Sequence, residues 1–343
     1  MKHSFKSDYC ELAHPSVLAA LSAVGNAQFE GYGLDEYTQS AAELIRLKAA
    51  APDAEVHFIS GGTQLNLVLI SAALRPHEAV ISPESGHISV HETGAIEATG
   101  HKICTAKSKD GKLRAADIEA IIEAHSDEHM VSPKLVYISQ STETGQVYTK
   151  AELSAIADTC RRNALYLFVD GARIGAAVNS PDCDLDYADI AEAADAFYIG
   201  GTKNGALFGE ALVICNKTLK TDFRSILKQR GALLSKGAAI GIQFEALMKD
   251  GLFETNASHA NAMALKMANG ITEAGYELLF PAQTNIIIPL FPNDAIQTLR
   301  QQYDFYDFEK TRTITSVRLV TSWATPESKV DEFLKDLRNI NCC

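Results

Sequence analysis

The stretch from Tyr166 to Gly205, YLFVDGARIGAAVNSPDCDLDYADIAEAADAFYIGGTKNG, limits what this chain can fold into more than any other. It holds the short apolar runs YLFVD and DAFYI, each bounded by Gly-rich or polar turns and separated by residues at helical spacing. That pattern is a βαβ unit and predicts an open, mostly parallel sheet covered by helices. Such sheets bind ligands at their strand ends. Here those ends carry a carboxylate, Asp170, closing the first strand, and an amine, Lys203, just past the second.

Composition narrows the classes. With 343 residues, 46% of them hydrophobic, the chain can bury a sizeable core and divide into more than one lobe. Its formal net charge of −12 argues against wrapping a nucleic acid, which needs a clustered basic surface. No run of about 18 apolar residues appears, so no membrane-spanning helix is predicted. The N-terminal MKHSFKSD lacks an apolar signal core, and a cytoplasmic location is the expectation. Seven cysteines show neither CxxC spacing nor a disulfide pattern, so free thiols and no metal are expected. The terminal Cys342 and Cys343, with Ile340 where a prenylated cysteine would stand, read as an incidental tail.

An acid and an amine delivered to one sheet edge are what a pyridoxal phosphate site needs, the lysine for the Schiff base and the aspartate to keep a proton on the pyridine nitrogen. Companion signals follow. In EVHFISGGTQLNLVLISAAL a strand runs through a glycine turn into a long apolar helix, whose first N–H groups can hold a phosphate dianion. Gly62 and Thr63 are the candidates. In ESGHISVHETGA, His87, His91 and Glu92 cluster, and an imidazole can stack on a ring or move a proton near neutrality. Arg173, just beyond Asp170, can pair with a substrate carboxylate or steady nearby acidic groups. Arg318 in SVRLVTSW puts a charge in an apolar strand, which is costly unless the residue is an exposed edge or has a partner.

VDGAR followed by a lysine in GGTKNG resembles the threonine aldolase and β-eliminating lyase group of fold-type-I pyridoxal phosphate enzymes, and TKNG is most similar to its phenylserine-aldolase-like branch. The resemblance covers nearly the whole chain. It implies a large domain with a mostly parallel seven-stranded sheet and a small C-terminal α+β domain. It implies that His87 stacks on the cofactor with Glu92 nearby, that Arg318 binds the substrate α-carboxylate, and that Ser7 and Tyr32 border the substrate. The segment around Tyr32 is expected to reach across a subunit interface in a homodimer or homotetramer. Either Arg230 or Lys236 is expected to reach the neighbouring subunit's phosphate. One departure bears on the substrate: a second active-site histidine of the family is replaced by Thr142 and Glu143.

The composition changes after the helical region ending near Gly251, so residues 1–251 are expected to form the cofactor-binding unit and residues 252–343 the small one. The expected reaction is cleavage of an L-β-hydroxy-α-amino acid such as threonine, allo-threonine or phenylserine into glycine and an aldehyde. His87, directly or through water, is the expected acceptor of the hydroxyl proton. Within the same cofactor class the alternatives are β-elimination and transamination. A noncatalytic nucleotide module would need a GxGxxG or P-loop fingerprint, and neither is present.

Overall fold

Alternating and continuous apolar runs become strands wherever turn residues bound them, and helical spacing fills the gaps between. The computed structural model describes residues 2–341, so Cys342 and Cys343 lie outside the described residues. The strand β1 (His3–Ser4) stands apart from the sheet that carries the strand-end pair. That sheet contains β2 (Glu55–Ile59), β3 (Glu78–Pro83), β4 (Ile103–Ala106), β5 (Ser132–Ser139), β6 (Tyr166–Asp170), β7 (Ala196–Gly200) and β8 (Glu210–Ile214). Their spatial order is β2-β8-β7-β6-β5-β3-β4, and within it only β8 runs against its neighbours. This is the mostly parallel seven-stranded α/β sheet that the sequence implies.

Every residue of β3, β7 and β8 is buried, because helices cover both faces. Alternate residues of each strand enter opposite cores. Val169, Phe197 and Ile199 pack on one face, while Tyr137, Phe168, Tyr198 and Leu212 pack on the other with Leu65, Val68 and Leu69 of the helix Gly62–Ala73. Side-chain caps start several helices. Asp35 accepts from Thr38 N–H at 2.9 Å, and Thr149 with Glu152 closes a capping box before Lys150–Arg162.

The C-terminal lobe comprises β9 (Ile286–Ile287), β10 (Leu290–Pro292), β11 (Tyr303–Asp304), β12 (Tyr306–Lys310) and β13 (Ile314–Val320) with the helices Asn293–Leu299 and Glu327–Asn341. β13 is central, antiparallel to β9, β10 and β12. The helix Leu252–Glu273 begins after Asp250 and Gly251, which break the chain with φ of 55° and 71°. Phe253 near its start packs in the large core, and Met263, Met267 and Ile271 pack in the small one. The extreme N-terminus joins the small lobe: β1 pairs with β11, and Phe5 is buried among Tyr303, Phe333 and Val317.

Candidate active site

Parallel strands end together, so β5, β6 and β7 bring their C-terminal turns to one edge of the sheet. The turn after β6 lies directly on β7: a Cβ at Gly171 would stand 1.7 Å from the Tyr198 carbonyl oxygen, and one at Gly200 2.3 Å from that of Ala172. Only glycine permits this approach. Gly201 is likewise packed against Gly209 and Phe244, and Gly205 against Asn256. The glycines of GGTKNG therefore serve close packing.

Asp170 and Lys203 line one cavity of about 380 Å³, together with Gly61, Gly62 and Thr63. Asp170 is 4% exposed. Its Oδ2 accepts from the Tyr137 hydroxyl at 2.6 Å and from Asn66 Nδ2 at 3.3 Å, and its Oδ1 accepts from Ala172 N–H at 3.0 Å. Lys203 sits in the tight turn Thr202–Asn204, and its amine has no hydrogen-bond or ion-pair partner among the described residues. Burial, then the Arg173 charge, holds its pKa below the ordinary lysine value.

His87, at the start of the turn His87–Val90, shares a proton with Glu92 across 2.7 Å between Nδ1 and Oε1. Burial works against its charged form, yet the Glu92 bond with the Glu143 and Asp170 charges outweighs it and raises the imidazole pKa. Glu92 Oε1 also accepts from Asn66 Nδ2 at 2.8 Å, so a continuous polar path runs His87–Glu92–Asn66–Asp170–Tyr137. His91 lines the same cavity, its ring centroid 5.5 Å from that of His87.

Of the two arginines, Arg173 is the committed one. Its Nε and Nη2 donate to Asp8 Oδ2 and Oδ1 at 2.6 and 3.0 Å, both partners being buried. The structure thus spends this fork on a nearby acid, the second of the two roles open to it. Arg318 lies on the central strand β13 opposite Tyr306, half-buried, so an exposed edge is ruled out. No hydrogen bond or ion pair of its guanidinium occurs among the described residues, and burial lowers its pKa.

Ser7 and Tyr32 do not line this cavity. Ser7 Oγ stands 3.3 Å from Cys10 Sγ. Tyr32 lines a separate recess with His57, Arg224 and Gly237, its ring 4.5 Å beneath Lys228 Nζ. Arg230 and Lys236 are both exposed, and the Arg230 carbonyl accepts from Gln64 Nε2 at 3.4 Å in the first turn of the helix Gly62–Ala73. Of the residues that went unassigned on sequence, Asn66, Tyr198 and Glu210 line the cavity, and Tyr137 supports it through its bond to Asp170. Asn66 left a signal, an amide inside the apolar run LNLVLI, as did Glu210, an acid opening an apolar strand. The tyrosines left none, since aromatic strand residues are ordinary core.

Comparison with known proteins agrees with this geometry. The β-eliminating lyase family model matches residues 5–291. A low specificity L-threonine aldolase of a Pseudomonas species is 34% identical over 340 residues, covering 98% of this chain and 97% of that one. Another, from Pseudomonas aeruginosa, is 32% identical over 97% of this chain and 96% of its own length. The solved structure of Leishmania major threonine aldolase superposes with a TM-score of 0.97 at 49% identity, covering 98% and 99% of the two chains. A Thermus thermophilus aspartate aminotransferase, 17% identical with a TM-score of 0.75 over 99% of this chain and 91% of that one, shares the fold. A strand-end Asp170, a free Lys203 and a match over nearly the whole chain lead to one conclusion: this chain belongs to the β-eliminating lyase family, alongside low-specificity threonine aldolases.

Proposed function

We propose that this protein is a pyridoxal phosphate-dependent aldolase that cleaves L-β-hydroxy-α-amino acids to glycine and an aldehyde. The observation that carries the reading is that one cavity is lined by Asp170, Lys203 and the start of the helix Gly62–Ala73. No side chain caps that helix start, so its N–H groups and dipole face the cavity, as a phosphate dianion requires. The residues fit the cofactor: Lys203 would hold it covalently through Nζ, Asp170 would hold the proton on the ring nitrogen, and Gly62 and Thr63 would bind its phosphate. When bound, pyridoxal phosphate supplies the electron sink that lets a bond at Cα break.

Arg318, with no hydrogen-bond or ion-pair partner among the described residues, would take the substrate α-carboxylate as a bidentate pair. Arg173 adds positive charge beside it, while its fork stays with Asp8. His87, steadied by Glu92, covers the ring. Ser7 lies beside Asp8 in the chain and completes the carboxylate end. Tyr32 serves a second copy's cavity in a homodimer or homotetramer. Exposed Leu12, Leu34 and Leu47, from the same part of the chain as Tyr32, supply apolar surface for that association.

The test is a substrate panel of L-threonine, L-allo-threonine and L-phenylserine with the cofactor-loaded protein, assayed for glycine plus aldehyde. Pyruvate and ammonia would replace this reading with β-elimination. Lys203→Ala is expected to lose both the visible absorbance of the bound cofactor and turnover, and retention of either overturns the assignment.

A further inference from the structure

Glu143 occupies the same cavity as Lys203, Asp170, His87 and His91, and no mechanism above uses it. It projects from the loop after β5, whose neighbours are tied elsewhere. Thr142 Oγ1 and Thr144 Oγ1 both donate to the Asp110 carbonyl, at 3.3 and 2.7 Å, and Thr142 N–H donates to the Gln146 carbonyl at 2.9 Å. With both flanking residues buried and anchored, the half-buried Glu143 is presented to the cavity on a stiff support. Its carboxylate has no hydrogen-bond or ion-pair partner among the described residues, in contrast to Asp170, Glu92 and Asp8. Its charge acts on His87, His91, Tyr137, Arg173, Lys203 and Arg318.

This arrangement bears on the step the proposed reaction leaves open, the acceptor for the β-hydroxyl proton. In the aldolase reading His87, bonded at Nδ1 to Glu92, covers the cofactor ring, whereas Glu143 is a cavity carboxylate with no such bond among the described residues. His91 is exposed at the rim. Resting on the aldolase reading, we propose that Glu143 is a catalytic residue, the carboxylate that takes the β-hydroxyl proton of a substrate anchored by Arg318. The substrate O–H bond breaks toward a Glu143 oxygen and its electron pair forms the aldehyde C=O. The Cα–Cβ bond then breaks, and its pair stays with Cα until a proton replaces it. The proton gained by Glu143 balances the one gained by Cα, so no water or redox partner is consumed. The same free carboxylate would repel an anionic group at Cβ, which sets the substrate class as β-hydroxy amino acids with neutral side chains.

The experiment compares two reactions of the cofactor-loaded protein: cleavage of L-phenylserine or L-threonine, and exchange of the glycine α-proton in D₂O, which has no hydroxyl proton to accept. Glu143→Gln is expected to lower kcat for cleavage by about 100-fold or more. Glycine exchange should stay within about threefold, with glycine affinity by calorimetry unchanged, because neither involves a hydroxyl proton for Glu143 to accept. Glu143→Asp should restore part of the cleavage. Wild-type cleavage rates in Glu143→Gln, a change in KM alone, or parallel loss of cleavage and exchange would each overturn the proposal. A wild-type protein that exchanges glycine but cleaves no β-hydroxy amino acid would overturn the aldolase reading, and this inference with it.

Discussion

Glu210 stands at the start of β8, 5% exposed, with one carboxyl oxygen 2.9 Å from the Gly201 N–H. Burial pushes its pKa up to about 7 from 4.5 despite the Thr202, Lys203 and Gly201 contacts that favour the anion. The sign follows from linkage. Below the unfolded value of 4.5 both states are protonated and nothing is lost. As pH rises toward 7 the unfolded chain releases the proton first, and above it the fold carries a cost of roughly 3 kcal/mol. Glu210→Gln, which keeps an acceptor for Gly201, is therefore expected to raise the melting temperature of the cofactor-free protein above about pH 8. Near about pH 4.5 the two melting curves should coincide. A constant difference at both pH values would mean that the substitution acts through packing.

At the scale of elements, caps and close approaches decide where helices start and how strands stack. The helix Lys150–Arg162 leads the chain back to β6, and its capping box has Thr149 Oγ1 accepting from Glu152 N–H at 3.3 Å and Glu152 accepting from Thr149 N–H at 2.9 Å. Thr149→Ala is expected to cost about 1 kcal/mol, read as a lower urea midpoint with an unchanged slope. A cost near zero would show that Glu152, also bound by Lys112 at 2.7 Å, holds the helix start unaided. The turn after β6 works differently. Its glycine is dictated by the Tyr198 backbone next door, so Asp170 and Lys203 owe their adjacency to a backbone contact.

For the whole molecule, one buried ion pair joins its separate parts. Asp8 in the N-terminal segment takes both donors of Arg173 after β6 and a third from Asn285 Nδ2 of the small lobe at 2.9 Å. Burial raises the Asp8 pKa, but Arg173 and Lys203 more than reverse this and bring it down to about 2 from 3.8. Its stabilisation is complete above pH 3.8 and is lost as pH falls through about 2. Asp8→Asn leaves Arg173 buried without a counter-charge and is expected to cost about 3–5 kcal/mol in denaturant unfolding. It should also flatten the loss of stability between about pH 4 and pH 2. An unchanged acid profile would assign that loss to other carboxylates.

What the sequence by itself determined was local: the βαβ reading of residues 166–205, the helix behind the Gly61–Gly62 turn, and Asp170 and Lys203 as a strand-end pair. Each depends on periodicity and turn chemistry within a few neighbours, and such short-range preferences are written where they act. Tertiary structure alone decided that Asp8 claims Arg173 across 165 positions and that Asn66 meets Asp170 across 104. It also decided that Glu143 and Glu210 face the cavity and that Tyr32 does not. Those outcomes depend on strand order and on which residues β8 and β13 set opposite one another. No local window carries that information, because the free energy of a buried polar contact exists only once both partners have left water together.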